Sequence, residues 1–432
     1  MKKGVFTIIV LSLIIMMSCD ENKKDESDSS TTQIKKEVTA KDILGSKDYL
    51  AISYGGYRQK SRDSQPTIPE LKEDLRILSA MGIKVLRTYN VQPKLPHAAN
   101  VLKAISELKK ENEDFEMYVM LGAWIDCLNA WTDKVPNHNI ESPNNEGEIQ
   151  RAVALANKYP DIVKIIAVGN EAMVKWATSY YVQPEVILKW VNHLQDLKKE
   201  GKLPKDLWIT SSDDFSSWGG GSDEYHVEDL EKLVKAVDFI SMHTYPYHNS
   251  HYNPEFWGVP EAHRSMPDTT KIEMAMERAI KFSQKQFDSV TNYMKSLGVN
   301  KPIHIGETGW ATVSNGHYGP NGSRATDEYK QGLFYKQMRR WTNRSGISCF
   351  YFEAFNEKWK DSHNNKGSEN HFGLFTIEGQ AKYPIWDLVD KGIFDGLTRN
   401  GNPITKTYDG DKSALLEDAL VPPYESEIMA RN

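Results

Sequence analysis

Two glutamates in this chain stand where apolar runs break off. One closes "VGNEA" (168–172) at Glu171, and the other sits in "KPIHIGETGW" (301–310) at Glu307. In each, strand-like aliphatic residues give way to glycine, which stops a strand rather than extending it. A charged side chain at the mouth of a packed element is costly unless it is paired or used. One such Glu reads as a salt bridge or a helix cap. Two in equivalent places invite a joint use. A facing carboxyl pair suits glycoside hydrolysis, in which one group protonates the leaving oxygen and the other attacks the anomeric carbon. The competing use is a metal site with His243 or His371 as further ligands, but no HxH or HExxH spacing occurs and the aspartates are dispersed.

Whether the pair meets depends on the elements that carry it. From residue 48 onward, short apolar strands alternate with helical patterns. Strands are predicted over 49–55, 84–90, 116–124, 163–171, 207–212, 237–245, 302–309 and 348–355. Amphipathic helices are predicted over 67–82, 148–159, 184–201, 226–237 and 327–344. Alternation of this kind implies parallel strands joined by right-handed crossovers, and eight units close naturally into an α/β fold, the (β/α)₈ TIM barrel. An open doubly wound sheet would need a glycine-rich phosphate turn, and "SYGGYR" (53–58) matches one poorly. No tandem repeat or internal linker interrupts the pattern, so a single catalytic domain is expected over 46–432.

In such barrels the chemistry gathers at the C-terminal ends of the strands. Read in order, those ends present Arg87 and Tyr89, Trp124 and Asp126, Asn170 and Glu171, and Asp213 and Asp214. They continue with His243 and Tyr245, Glu307 and Trp310, and Glu353 and Glu357. Glu171 and Glu307 end strands four and seven, on nearly opposite walls, and can face each other across the mouth. Whichever of the two is the acid requires desolvation or the nearby charge of the other to keep its proton. The other must stay ionised, and the Tyr245 hydroxyl is a fitting donor to Glu307. Arg87 could support either carboxyl, and Asn170 could hold the 2-hydroxyl of the attacked sugar. Trp124, Trp310, Tyr247, Trp257 and Trp359 are candidate sugar platforms, with core packing the competing use of each ring.

At these residues the chain resembles glycoside hydrolase family 17, the β-1,3-glucanase family of retaining barrel hydrolases. "VGNEA" resembles its acid/base motif and "IHIGETGW" (303–310) its nucleophile motif. "FEAFNEKWK" (352–360) followed by "SENHFGLF" (368–375) resembles its last-strand signature, which implies auxiliary roles for Glu357, Lys360 and Glu369. "RTYN" (87–90) and "HTYPYH" (243–248) resemble its second- and sixth-strand ends. The resemblance spans roughly residues 50–390 and keeps the motifs in order. Two features depart from it: Ala311-Thr312 replace the usual Pro-Ser after the nucleophile motif, and the segment 245–300 is long. The resemblance implies a retaining endo-β-1,3-glucanase that needs no cofactor, acts on laminarin-like β-glucan and works as a monomer. A β-1,3-glucanosyltransferase would use the same residues. A non-catalytic glycan-binding barrel would be expected to lack one of the carboxyls, and both are present.

The N-terminus carries a separate message. Lys2 and Lys3 precede an apolar run from Val5 to Met17, too short for a comfortable membrane span and ordered like a secretory signal. "IMMSC" (15–19) resembles a bacterial lipoprotein box. The expectation is a signal peptide over 1–18, a lipid anchor at Cys19 and a polar tether over 19–45. Asp20 and Glu21 resemble the acidic export signals of surface-exposed lipoproteins, which implies an envelope location, on the outer membrane. A net charge of −6 with no basic arm gives no support for nucleic-acid binding. Cys127 and Cys349 are expected as free buried thiols.

Overall fold

The computed structural model describes residues 37–430. Eight strands are arranged as a closed barrel: β1 (Leu50–Ser53), β2 (Ile83–Arg87), β3 (Tyr118–Ala123), β4 (Val163–Asn170), β5 (Trp208–Asp214), β6 (Ile240–His243), β7 (Ile303–Gly309) and β8 (Cys349–Phe352). Every neighbouring pair is parallel and β8 returns to β1. All eight predicted strands are present, and the doubly wound alternative is excluded by the closure.

Period-two side-chain placement builds two cores. Val119, Leu121, Ile166 and Val168 face the helices, in a cluster with Leu102, Ala152 and Val191. Met120, Ile165 and Ala167 face the opposite way and pack with Ala51, Val85 and Phe350. That inner cluster is closed at the N-terminal end of the strands by the short helix Ala40–Ile43. Its cap is Thr39, in a reciprocal box with Asp42. The compact unit therefore begins at Val38, not at residue 46. Ala40, Ile43 and Leu44 supply apolar surface that the polar reading of 19–45 had overlooked. The expected signal peptide, Cys19 and the tether as far as residue 36 lie outside the described residues.

The crossover helices start where the local chemistry allows. Thr67 caps Ile68–Ala80 in a box with Glu70, and Asp327 caps Glu328–Arg344 through the Lys330 amide at 2.7 Å. The long segment 245–300 is mostly a helix, Asp268–Ser296, packed on the outer layer against Glu328–Arg344. Beyond the barrel, the two-stranded ribbon Thr398–Arg399 and Asn402–Pro403 drives Arg399 into the body of the protein. Its guanidinium meets Asp74 at 2.9 Å, and Asp74 also holds Arg58 at 2.9 Å and the Tyr54 hydroxyl at 3.1 Å. This buried group ties the β1 loop, residues 54–62, against the barrel mouth. Cys127 and Cys349 are buried free thiols.

Candidate active site

The acid-bearing turn is made by backbone irregularity. The β4–β5 register shifts between Ala167 and Asn170, where Gly169 has φ +82°. A Cβ on Gly169 would stand 2.8 Å from that of Ala172, so glycine is required. Such a bulge re-aims the following side chains. Glu171 itself holds φ +48°, uncommon for a non-glycine residue, and its amide is pinned to the Ser212 carbonyl at 2.9 Å. The turn after it is secured by Asp213, which accepts from the Met173 amide at 2.7 Å.

Glu307 projects from β7 and is only 7% exposed. Its Oε2 accepts from Arg87 Nη1 at 2.5 Å and from the Tyr89 hydroxyl at 2.8 Å, and its Oε1 accepts from the Tyr245 hydroxyl at 2.6 Å. Arg87 also donates to the Gly306 carbonyl at 2.9 Å and to Asn170 Oδ1 at 2.5 Å. One oxygen of Glu171, one of Glu307 and a ring nitrogen of His243 lie within 4.8 Å of one another. His243 Nδ1 stands 3.0 Å from Glu171 Oε1, and its Nε2 stands 2.8 Å from Ser212 Oγ. A cation entering this triad would compete with the Arg87 guanidinium for Glu307. His371 is turned to the Asn365 carbonyl at 2.7 Å, away from the pair.

The environments push the two carboxyls apart. Burial, then the charge of Glu307 and that of Asp214, hold the Glu171 carboxyl well above the usual range. Burial acts on Glu307 in the same sense, but Arg87, His243 and the two tyrosine hydroxyls overcome it and bring its carboxyl down to about 2. Burial brings His243 down to about 4, so its imidazole is neutral at pH 7. One carboxyl kept protonated beside one kept ionised is what an acid and a nucleophile require.

Beside the pair, with Asn170 and Glu307 in its lining, lies a cleft of about 670 Å³. Of the residues expected there, Arg87, Tyr89, Asn170, Glu171, Tyr245 and Glu307 form the centre. Trp124, Glu357 and Lys360 line the cleft, while Glu369 is exposed and outside its lining. Three expected platforms belong elsewhere. Tyr247, Trp257 and Trp310 are fully buried. The Trp310 ring packs 5.5 Å from Tyr247 and 5.6 Å from Trp257, and its Nε1 donates to the Ala325 carbonyl at 2.8 Å. They are core, because the loops after β6 and β7 fold over them.

Two participants escaped sequence reasoning. His243 is expected from the sequence only as a strand end and a possible ligand, although it ends β6 two residues before Tyr245. Trp131 is 62% exposed at the tip between Cys127–Leu128 and Asn137–Glu141, and it stacks on Tyr180 at 5.0 Å beside Trp124. No local pattern marks it.

A family model described as the BtgE/BtgC glycoside hydrolase domain matches residues 51–373. A solved endo-laminarinase from Formosa Hel1_33_131 is 66% identical, covers 90% of this chain and 98% of its own, and superposes with a TM-score of 0.89. A glycoside hydrolase family 17 β-1,3-glucanosyltransferase from Rhizomucor miehei shares the fold at 19% identity, with a TM-score of 0.53 over 78% of this chain and 97% of that one. A protein named glucan 1,3-beta-glucosidase from Arthroderma benhamiae is 24% identical over 286 residues, 63% of this chain and 73% of its own. The Aspergillus niger btgC protein is 25% identical over 313 residues, 70% of this chain; the match spans only 37% of that relative's length.

Proposed function

Because this chain belongs to the BtgE/BtgC glycoside hydrolase family, we propose that it is a retaining endo-β-1,3-glucanase hydrolysing laminarin-like β-glucan. Glu171 is the acid/base and Glu307 the nucleophile. The observation that carries this reading is the close carboxyl pair with opposed ionisation. Its approach fits the about 5–5.5 Å of a retaining pair and leaves no room for the water of an inverting one. In the first step Glu307 attacks the anomeric carbon while Glu171 gives its proton to the departing glycosidic oxygen. In the second, Glu171, now a carboxylate, takes a proton from the water that attacks the same carbon and frees Glu307. Neutral His243 orients Glu171 in both steps. Asn170 accepts from Arg87 through Oδ1, which leaves its amide nitrogen for the sugar 2-hydroxyl.

Rings leave several loops around the cleft: Tyr57 after β1, Trp124 and Trp131 after β3, and Trp359 after β8. That spread supports a groove binding a curved chain internally rather than a pocket for one end. The test is a timed digest of laminarin, branched β-glucans and cellulose, with proton NMR of the first product. β-Anomeric oligosaccharides of several lengths are expected, with little release from cellulose. Glucose alone from the first minutes would overturn internal cleavage, and equal attack on cellulose would overturn the β-1,3 assignment. Lengthened products on adding an acceptor would make the enzyme a glucanosyltransferase.

The proposal extends to location. Residues 1–18 act as a lipoprotein signal peptide, Cys19 carries the anchor, and the following polar residues display a monomeric enzyme on the outer membrane. The charged-then-apolar order and the "IMMSC" stretch support this. Among the described residues no helix is long and apolar enough to cross a membrane.

A further inference from the structure

The last barrel strand supplies a third carboxyl to which the double displacement gives no task. Glu353 follows β8 directly and lines the cleft with its side chain 3% exposed. Its Oε2 faces the Lys360 ammonium at 3.3 Å. Its Oε1 is buried and has no hydrogen-bond partner among the described residues. A folded protein seldom leaves a buried carboxyl oxygen unpaired, and one on a residue that lines a cleft is a place for a ligand to complete.

We propose that Oε1 of Glu353 is a sugar-recognition atom, binding one ring hydroxyl of the glucosyl unit that lies on the β8 side of Glu307. This rests on the glucanase reading above. The neighbours decide the sense of the hydrogen bond. Lys360 is shared between Glu353 and Glu357, the latter at 3.7 Å. Glu357 also accepts from the Tyr57 amide at 3.0 Å and from Trp359 Nε1 at 2.9 Å, so both of its oxygens are paired. Glu369 from the turn Ser368–His371 adds negative charge, and Lys382 acts from the far side. Burial outweighs the pull of Lys360 and, with Glu357 and Glu369 adding to it, holds Glu353 well above the ordinary carboxylate range. With Oε2 accepting from Lys360, the proton of the neutral acid sits on Oε1 and is offered to the sugar.

The experiment uses the full chain, with Glu353→Ala and Glu353→Gln assayed on laminarihexaose and on a panel of monodeoxygenated laminaritriosides, each variant checked by thermal unfolding. Glu353→Ala is expected to lower kcat/KM about 30- to 100-fold, the loss that follows when a buried partner is left unpaired. Glu353→Gln should restore most of that loss, because its amide N–H can donate where Oε1 does and its carbonyl can accept from Lys360. One deoxy position should weaken the wild type by a similar factor and weaken Glu353→Ala no further. On an aryl laminaribioside, whose leaving group needs no proton from Glu171, the wild type should lose activity at alkaline pH as Glu353 ionises. Glu353→Gln should lack that limb. Losses in Glu353→Ala that are equal at every deoxy position, or a variant as active as the wild type, would overturn the role of Glu353 alone. A wild type inert on every β-1,3-glucan would overturn the glucanase reading with it.

Discussion

Arg87→Gln isolates the electrostatic basis of the nucleophile. Glu307 titrates at about 2 against an ordinary 4.5, a difference equivalent to about 3 kcal/mol in favour of the anion at 1.36 kcal/mol per pH unit. Burial pushes the other way, so Arg87, His243 and the two tyrosine hydroxyls together supply more than the net difference, with Arg87 first among them. The guanidinium is 1% exposed and little screened by solvent. Without its charge the opposition to burial weakens and Glu307 rises. The acid limb of kcat/KM on an aryl laminaribioside, which reports groups of the free enzyme, should move up from near pH 2 by roughly 1–3 pH units, the usual effect of an adjacent opposite charge. At about pH 3.5 the variant should therefore have lost activity relative to its own plateau, where the wild-type nucleophile is still almost wholly ionised. The neutral plateau should also fall by about 100-fold, since Arg87 positions Asn170 as well. Rates should be taken by jumping from a neutral stock, because stability changes in the same range. Glu307, depressed in the fold, contributes stability that is full above 4.5 and is lost as pH falls toward 2. His243, buried and neutral, contributes stability that is lost as pH falls from 6.5 toward 4. A lowered plateau with the acid limb unmoved would refute the electrostatic argument and leave Arg87 as a positioning group only.

Glu171→Ala should cut turnover of laminarin by about 10²- to 10⁴-fold yet spare the aryl substrate's first step, whereas Glu307→Ala should silence both; steady-state and burst kinetics separate the two cases. Near wild-type rates on laminarin in either variant would remove the assignment. Trp131→Ala should raise KM for laminarihexaose about fivefold, the worth of roughly 1 kcal/mol of stacking, with kcat little changed; an unaltered KM would return Trp131 to the surface. Trp310→Ala should lower stability by about 3–5 kcal/mol, read by denaturant unfolding, because the ring is core rather than platform. If Cys19 carries lipid, the full-length chain should partition into detergent and Cys19→Ala should not; a soluble wild-type product with an unmodified Cys19 would end the anchor proposal.

The barrel and its two carboxyls were legible because each rests on local pattern. Period-two aliphatic runs such as 163–168 bury themselves in any parallel sheet, and Glu171 and Glu307 fall toward the C-terminal ends of such runs, where a barrel collects its chemistry. Eight repeats of that alternation left little choice of closure. The export and lipidation reading is equally local and has its whole basis in the first 21 residues. What the tertiary structure decided were matters of partner and exposure, which involve residues far apart in the chain. Tyr247, Trp257 and Trp310 are core because the loops after β6 and β7 fold over them, while Trp131 is exposed because a short ribbon lifts it beside Tyr180. The opposed ionisation of Glu171 and Glu307 depends on Arg87 reaching across the barrel to Glu307, and on burial and the charges of Glu307 and Asp214 around Glu171. Glu353 acquires its unpaired oxygen only where Lys360 and Glu357 close around it. Spacing along a chain can place a carboxyl at a strand end, but the energy of its proton is set by neighbours that only folding brings near.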